Sequence, residues 1–399
     1  MKNLKFSNKD LYIFFLIVYI ICLPLNAMNI GAFGSALKVI AVLPIGIALI
    51  GGKNLVLKTP ARMQLFFTIF AFFSMMWSVS FETSVGRVVS YFLLFALLIS
   101  GAMFKYTEDD INKIKYALTW SSRLTALVML IFAEYVGGRF RLMGIIEEDP
   151  NYLCAYLAFG IVYALETLTT KNKAGKKVLA VAELILYFYL VLVSGSRGGL
   201  LAIAGGAASY LLTYRGQKIK YIARKVILIT LVAVLLIVMI DYLPENLRVR
   251  FTSENVLENG GSGRTKLWAQ SFDLFANGNI LRQLFGFGTA TIAWCFSRYG
   301  YSEINVAHNM FIETLAELGI VGLVLYSVAI FSFIKVAFKF KDKYSFAVIS
   351  CMFVMSLSTS IYTFKPYFNI MLFIIMLQNI QPEGIGTSVN NEGKNTFSV

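Results

Sequence analysis

The sequence predicts an all-α integral membrane protein of about twelve transmembrane helices, with one large external loop between spans nine and ten. Three observations carry this prediction. Of the 399 residues, 58% are hydrophobic and only 15% are charged, more apolar surface than a soluble chain of this size can hide. Apolar tracts near the roughly 20 residues that a bilayer crossing needs recur from one end to the other. Lysines and arginines then alternate between the connecting loops, so that one side collects most of the lysines.

The tracts are 11–25, 34–51, 63–79, 86–104, 116–136, 152–169, 178–194, 198–213, 226–243, 318–338, 345–361 and 366–380. In lipid every backbone polar group must be satisfied within the segment, so each reads as a helix rather than a strand. The first has a basic start (Lys2, Lys5, Lys9). It is nevertheless read as a span and not a removable signal, because removing it would upset the charge alternation. Loops on one side carry Lys53, Lys58 and Arg62, then Lys113 and Lys115, then Lys171 to Lys177, Arg215 to Lys225 and Lys335 to Lys343. That side is the cytoplasm, and both termini lie there. The net charge of +14 thus reflects topology. It does not point to nucleic acid, because the basic residues are dispersed over short membrane-flanking loops.

Residues 1–381 form one membrane domain, and residues 382–399 a polar cytoplasmic tail. The external loop 244–307 is too long to be a mere connector. It holds turn signals at Glu258–Arg264 ("ENGGSGR") and Phe285–Thr289 ("FGFGT"). Between them Leu267, Trp268, Phe272 and Phe275 are spaced as one face of an amphipathic helix, with Trp268 expected at headgroup depth. A second external segment, Gly137–Asn151, is rich in charge. No repeat of the transporter kind is visible.

The external side uses arginine where the internal side uses lysine: Arg139, Arg141, Arg197, Arg248, Arg250, Arg264, Arg282 and Arg298, against Lys266 and Lys365. A guanidinium binds phosphate or carboxylate through two parallel hydrogen bonds, which an ammonium cannot copy. An anionic partner on the outer face explains the preference. Pairing with Glu147, Glu148, Asp149 or Glu254 accounts for about half of these arginines.

Chemistry-bearing residues are few. The chain has a single histidine, His308, in "AHNMFIETLAELG" at the end of the loop. A helix N-terminus disfavours imidazolium, which leaves a neutral ring able to act as a general base; a capping or interface role is equally open. Four scattered cysteines without a CxxC pair give neither a His/Cys metal site nor a disulfide framework. Glu147 to Asp149 read as solvated helix-start carboxylates before a hard-cation site. No G-x-S-x-G, P-loop or dinucleotide motif occurs. In "VLVSGSRGGLLA", Val191–Ala202, glycines and serines surround Arg197 and permit close approach. The small residues that follow, Ala204–Ser209, read as close helix packing. Packing explains the glycines and leaves the arginine unexplained.

"SGSRGGLLA", "GSGRTKLW" and "AHNMFIETLAELGIVGL", in this order and with this topology, resemble the O-antigen polymerase and ligase family over most of the chain. The resemblance implies a bacterial glycosyltransferase on the outer face of the cytoplasmic membrane. Such an enzyme moves a glycan from a polyprenyl (undecaprenyl) diphosphate carrier to an acceptor hydroxyl, by inversion, without cofactor or metal. By the resemblance the family's functional residues fall on His308, Arg197 and Arg264, with Arg139, Arg141, Asp149 and Asn151 as weaker matches; these four and Trp268 are the substrate-binding candidates. The expected activity is repeat-unit polymerisation of O-antigen or capsule. The alternatives are ligation to lipid A core and, in a different class, a lipid-linked-glycan flippase or transporter. The expected partners are the lipid-linked glycan, a glycan or lipid-glycan acceptor, membrane lipid, and a flippase or chain-length regulator of the same pathway.

Overall fold

Two of the longer helices open on reciprocal side-chain caps. Ser7 and Asp10 close a capping box on α1 (Asn8–Ile21), and Thr107 and Asp110 close another on α5 (Glu108–Phe132). The computed structural model describes residues 7–28, 35–52, 55–137, 139–142, 148–213, 243–249 and 263–381. Between these two helices lie α2 (Ala36–Gly51), α3 (Thr59–Phe73) and α4 (Phe81–Ser100). After α5 come α6 (Pro150–Thr169), α7 (Ala174–Val193) and α8 (Arg197–Leu212). The loop region contributes α9 (Glu245–Arg248), α10 (Arg264–Ala276), α11 (Ile280–Phe285) and α12 (Ile292–Arg298). The last helices are α13 (Met310–Phe340), α14 (Lys343–Ser356) and α15 (Lys365–Gln378).

Each predicted apolar tract within the described residues coincides with a helix; tract 226–243 lies outside them, as do Glu147, Arg250, Glu254 and the tail 382–399. Among the described residues three helices, α4, α6 and α13, are long and apolar enough to cross a membrane, and α2 and α14 are apolar but shorter.

The all-α expectation needs one correction. Residues 133–136, read as the end of a span, form β1 (Ala133–Val136), paired antiparallel with β2 (Arg139–Leu142). Tyr135 and Val136 favour strand, and Gly137 at φ +59° supplies the left-handed turn residue of a tight hairpin. The hairpin register sets Val136 opposite Arg139 and Glu134 opposite Arg141.

α6 and α15 form the centre of the core and are buried along nearly their whole length. α8 lies against α14 so closely that a Cβ on Gly206 would come within 2.9 Å of Cys351 Cβ and 3.0 Å of Ala347 O. This is the close packing expected of the small residues in this helix. α13 kinks at Gly319 (φ +68°). The "FGFGT" turn fills the kink: Gly288 N donates to Glu317 O (2.8 Å), and a Cβ on Gly286 would collide with the same carbonyl.

Two arginines inside the bundle are paired. Arg87 on α4 reaches Glu313 (3.2 Å) and Glu317 (3.0 Å) on α13 and lies over the Tyr362 ring. Arg123 on α5 pairs with Glu183 on α7 (2.7 Å). A buried charge that lost its partner would be strongly destabilising, so these pairs hold helices together. The two ends of the bundle differ. One is tied by Lys9–Asp110, Lys115–Glu166 and Lys58 with the Gln378 carbonyl. The other gathers the hairpin, the starts of α6 and α8, the loop helices and the start of α13, joined by Asn26–Glu148, Tyr152–Ser360 O and Asn309–Leu357 O.

Candidate active site

The opening of α8 is built before Arg197 is reached. Asp149 Oδ1 caps α6, accepting from Asn151 N and from Asn151 Nδ2, both at 2.7 Å. Asn151 Oδ1 in turn accepts from Ser196 Oγ (2.6 Å), and Ser196 Oγ accepts from Gly199 N (2.9 Å), capping α8. Gly195 takes φ +62° to turn the chain out of α7. A Cβ on Gly198 would come within 2.4 Å of Ser358 Oγ, and one on Gly199 within 2.5 Å of Cys154 Sγ. The glycines and serines around Arg197 thus lock the first helical residue of α8 to the start of α6.

Arg197, Arg264, Arg139, Asp149, Asn151 and His308 converge, with Gly195, Ser196 and Gly198, on one cavity of about 180 Å³. They arrive from the hairpin, α6, α8, α10 and the residue preceding α13's cap, segments scattered over 170 positions of sequence. Three guanidinium groups face one carboxylate, so the lining carries a formal charge of +2 with His308 neutral. Arg139 Nε is buried with no acceptor among the described residues. Burial and the like charge of Arg197 push the Arg264 guanidinium down, with Asp149 opposing. An anionic ligand would relieve that repulsion.

His308 sits just outside α13, at φ +50°, a backbone region uncommon for a residue with a Cβ. Both neighbours are held: Trp268 Nε1 donates to Ala307 O (2.9 Å), and Asn309 donates to Leu357 O (3.1 Å) while its Oδ1 accepts from Phe311 N (3.0 Å) and Ile312 N (3.2 Å). The imidazole pKa is lowered, first by burial and then by Arg264, against the opposing charges of Asp149 and Glu313. The neutral ring expected from the sequence therefore has burial and Arg264 as its causes, since Asn309 and not His308 caps the helix.

Two candidates stand outside the cavity lining. Arg141 lies two residues beyond Arg139 along β2, opposite Glu134. Trp268 is half-buried in the loop's own core and supports the backbone beside His308. The face of α10 is also corrected. Leu267, Gln270, Ser271 and Leu274 are buried, while Phe272 is turned outward, because α10 packs on α13. Glu148 and Asp149 diverge, Glu148 accepting from Asn26 Nδ2 (3.1 Å). Arg282 is structural, donating to Trp77 O (2.9 Å) and Gly286 O (3.3 Å). Sequence reasoning missed Ser196, whose place one residue before a helix is an N-cap signal. It also missed Glu313 and Glu317 as partners of Arg87.

The relay from Asp149 to Ser196 makes a prediction. Asn151→Ala leaves Ser196 without its acceptor and Arg197 without its anchor. A lost buried hydrogen bond costs roughly 1–3 kcal/mol, so the purified variant should unfold at a lower temperature than the wild type, read by thermal denaturation of both.

Residues 182–327 match the family described as O-antigen ligase. The segment is similar to that family. It runs from α7 through the loop helices into α13 and contains Arg197, Arg264 and His308. Arg139, Asp149 and Asn151 lie upstream of it and complete the same cavity. A Rickettsia felis protein provisionally described as a polysaccharide ligase is 24% identical over 290 residues, covering 69% of this chain and 68% of the relative. The family and this relative support a role in polysaccharide glycan transfer.

Proposed function

We propose that the chain is an inverting glycosyltransferase of the bacterial cytoplasmic membrane that takes a glycan from a polyprenyl diphosphate carrier and joins it to an acceptor hydroxyl on the outer face. The observation that carries this reading is the cavity in which three arginines, one carboxylate and the chain's single histidine meet. The acceptor oxygen bonds to the anomeric carbon as the bond from that carbon to the diphosphate oxygen breaks. The electron pair leaves with the diphosphate, and the hydroxyl proton passes to His308. Arg197 and Arg264, with Arg139 beside them, stabilise the charge that develops on the leaving group.

The twelve-span topology with cytoplasmic termini belongs to the same proposal. It is supported by the contrast between the lysine-tied end of the bundle and the arginine-lined cavity at the other. A flippase of the same pathway would have to supply the donor to the outer face. Acceptor choice separates a repeat-unit polymerase, the reading favoured by the sequence analysis, from a ligase to lipid A core. The descriptions of the matched family and of the R. felis relative favour the ligase. A ladder of lengthening products would support the first, and a single addition to a lipid acceptor the second.

Proteoliposomes carrying lipid-linked donor on the outer face alone test the proposal against a flippase or transporter. New glycosidic bonds support transfer; translocation of intact donor without new bonds would refute it. Stabilisation by guanidinium groups further predicts that turnover of the purified protein persists in EDTA. Loss of activity restored by magnesium or manganese would contradict that account.

A further inference from the structure

A second cavity, of about 380 Å³, opens at the far end of α10, and the catalytic account makes no use of it. Arg264 opens α10 and Asn277 caps its C-terminus, so the helix, at 1.5 Å per residue, sets the two sites about 20 Å apart. Tyr299 is 55% exposed, and its ring stands edge-on to Phe287, with centroids 6.3 Å apart. Asp273 fixes two further wall residues, accepting from Tyr301 Oη (2.6 Å) and from Asn277 Nδ2 (3.0 Å). Asn279 Oδ1 accepts from the backbone of Arg282, whose guanidinium lies over Phe287 and donates to two backbone carbonyls. The wall thus combines an open aromatic face with amide and phenol groups held in place by their own hydrogen bonds.

That combination suits a carbohydrate. The C–H face of a sugar ring packs on an aromatic ring, and its hydroxyls exchange hydrogen bonds with planar amides and carboxylates. The volume falls within the roughly 300–1,000 Å³ of small-molecule sites. Arg282 is anchored through Nη1 on two carbonyls, which fixes its guanidinium in the wall beside the neutral groups. We infer that this cavity is a glycan-binding subsite that grips sugar residues several units away from the bond being made. The inference rests on the proposed glycan transfer and deepens it: the loop would hold the polysaccharide chain while the arginine cavity holds the diphosphate.

The test uses the full chain in nanodiscs. The probes are fragments of one and of four repeat units, prepared by mild acid release of the source bacterium's own surface polysaccharide. Saturation-transfer NMR and titration should show the four-repeat fragment binding the wild type. Tyr299→Ala should weaken that binding about tenfold, which is about 1.4 kcal/mol, and Tyr299→Trp, which keeps an aromatic face, should restore it. Competition of the fragment with the lipid-linked donor would assign the subsite to the donor chain, and competition with the acceptor to the acceptor chain. Competition with neither, or unchanged binding in Tyr299→Ala, would overturn the inference. Tyr299-dependent binding by a protein that forms no glycosidic bond would uphold the subsite and refute the proposed reaction.

Discussion

His308→Ala is expected to cut glycan transfer by at least about a hundredfold, the lower bound of the roughly 10²–10⁴ that a positioned general base contributes. Expression and binding of the lipid-linked donor should persist. The backbone at His308 is at φ +50°, a region in which histidine is enriched over alanine, so the amount of folded variant is measured beside its rate. The pH dependence follows from the lowered imidazole pKa. Below that pKa the ring is protonated and cannot accept the hydroxyl proton. Activity should therefore rise with pH through a midpoint below the ordinary imidazole value of about 6.5 and level off at neutrality. Arg264→Gln removes a positive neighbour, so the midpoint should move up in the activity that remains. A pH–rate profile of the three proteins checks both statements. If His308→Ala kept the acid limb and most of its rate, the base would be Asp149.

Arg197→Lys is expected to lower turnover by roughly 10²–10³, the typical cost of losing one positioned donor to a developing charge. The charge is kept and the planar fork is lost, so the diphosphate would be held at a point instead of along two parallel bonds. Membrane insertion and the amount of folded protein should not change. Turnover close to wild type in the lysine variant would reduce Arg197 to a residue of packing or topology.

The helices were legible because apolar length and capping act within a segment. Ser7, Thr107 and Asp149 mark their helices by rules that need no tertiary knowledge. The hairpin at Ala133–Leu142 was not, because it continues an apolar tract and only the pair Gly137 and Gly138 signals the turn. At the site, residue type was informative. External arginines and a lone histidine gave the candidates, the family resemblance singled out Arg197, Arg264 and His308 among them, and the cavity brings these three together. The supporting shell was hidden, because Asn151, Ser196 and Gly199 form a relay only once α6 and α8 are side by side. The contact of Trp268 was hidden for a related reason: its indole donates to Ala307 O, which depends on how α10 lies on α13.

The central claim is a single displacement in which arginines hold the departing diphosphate and His308 takes the proton. Product analysis of purified protein turning over a lipid-linked glycan of known anomeric configuration tests it most directly, by phosphorus NMR of the released carrier and proton NMR of the new linkage. The account predicts one free polyprenyl diphosphate per new glycosidic bond, inverted configuration at the transferred carbon, and at least about a hundredfold less of both products from His308→Ala. Retained configuration, or new bonds without release of the diphosphate, would contradict it.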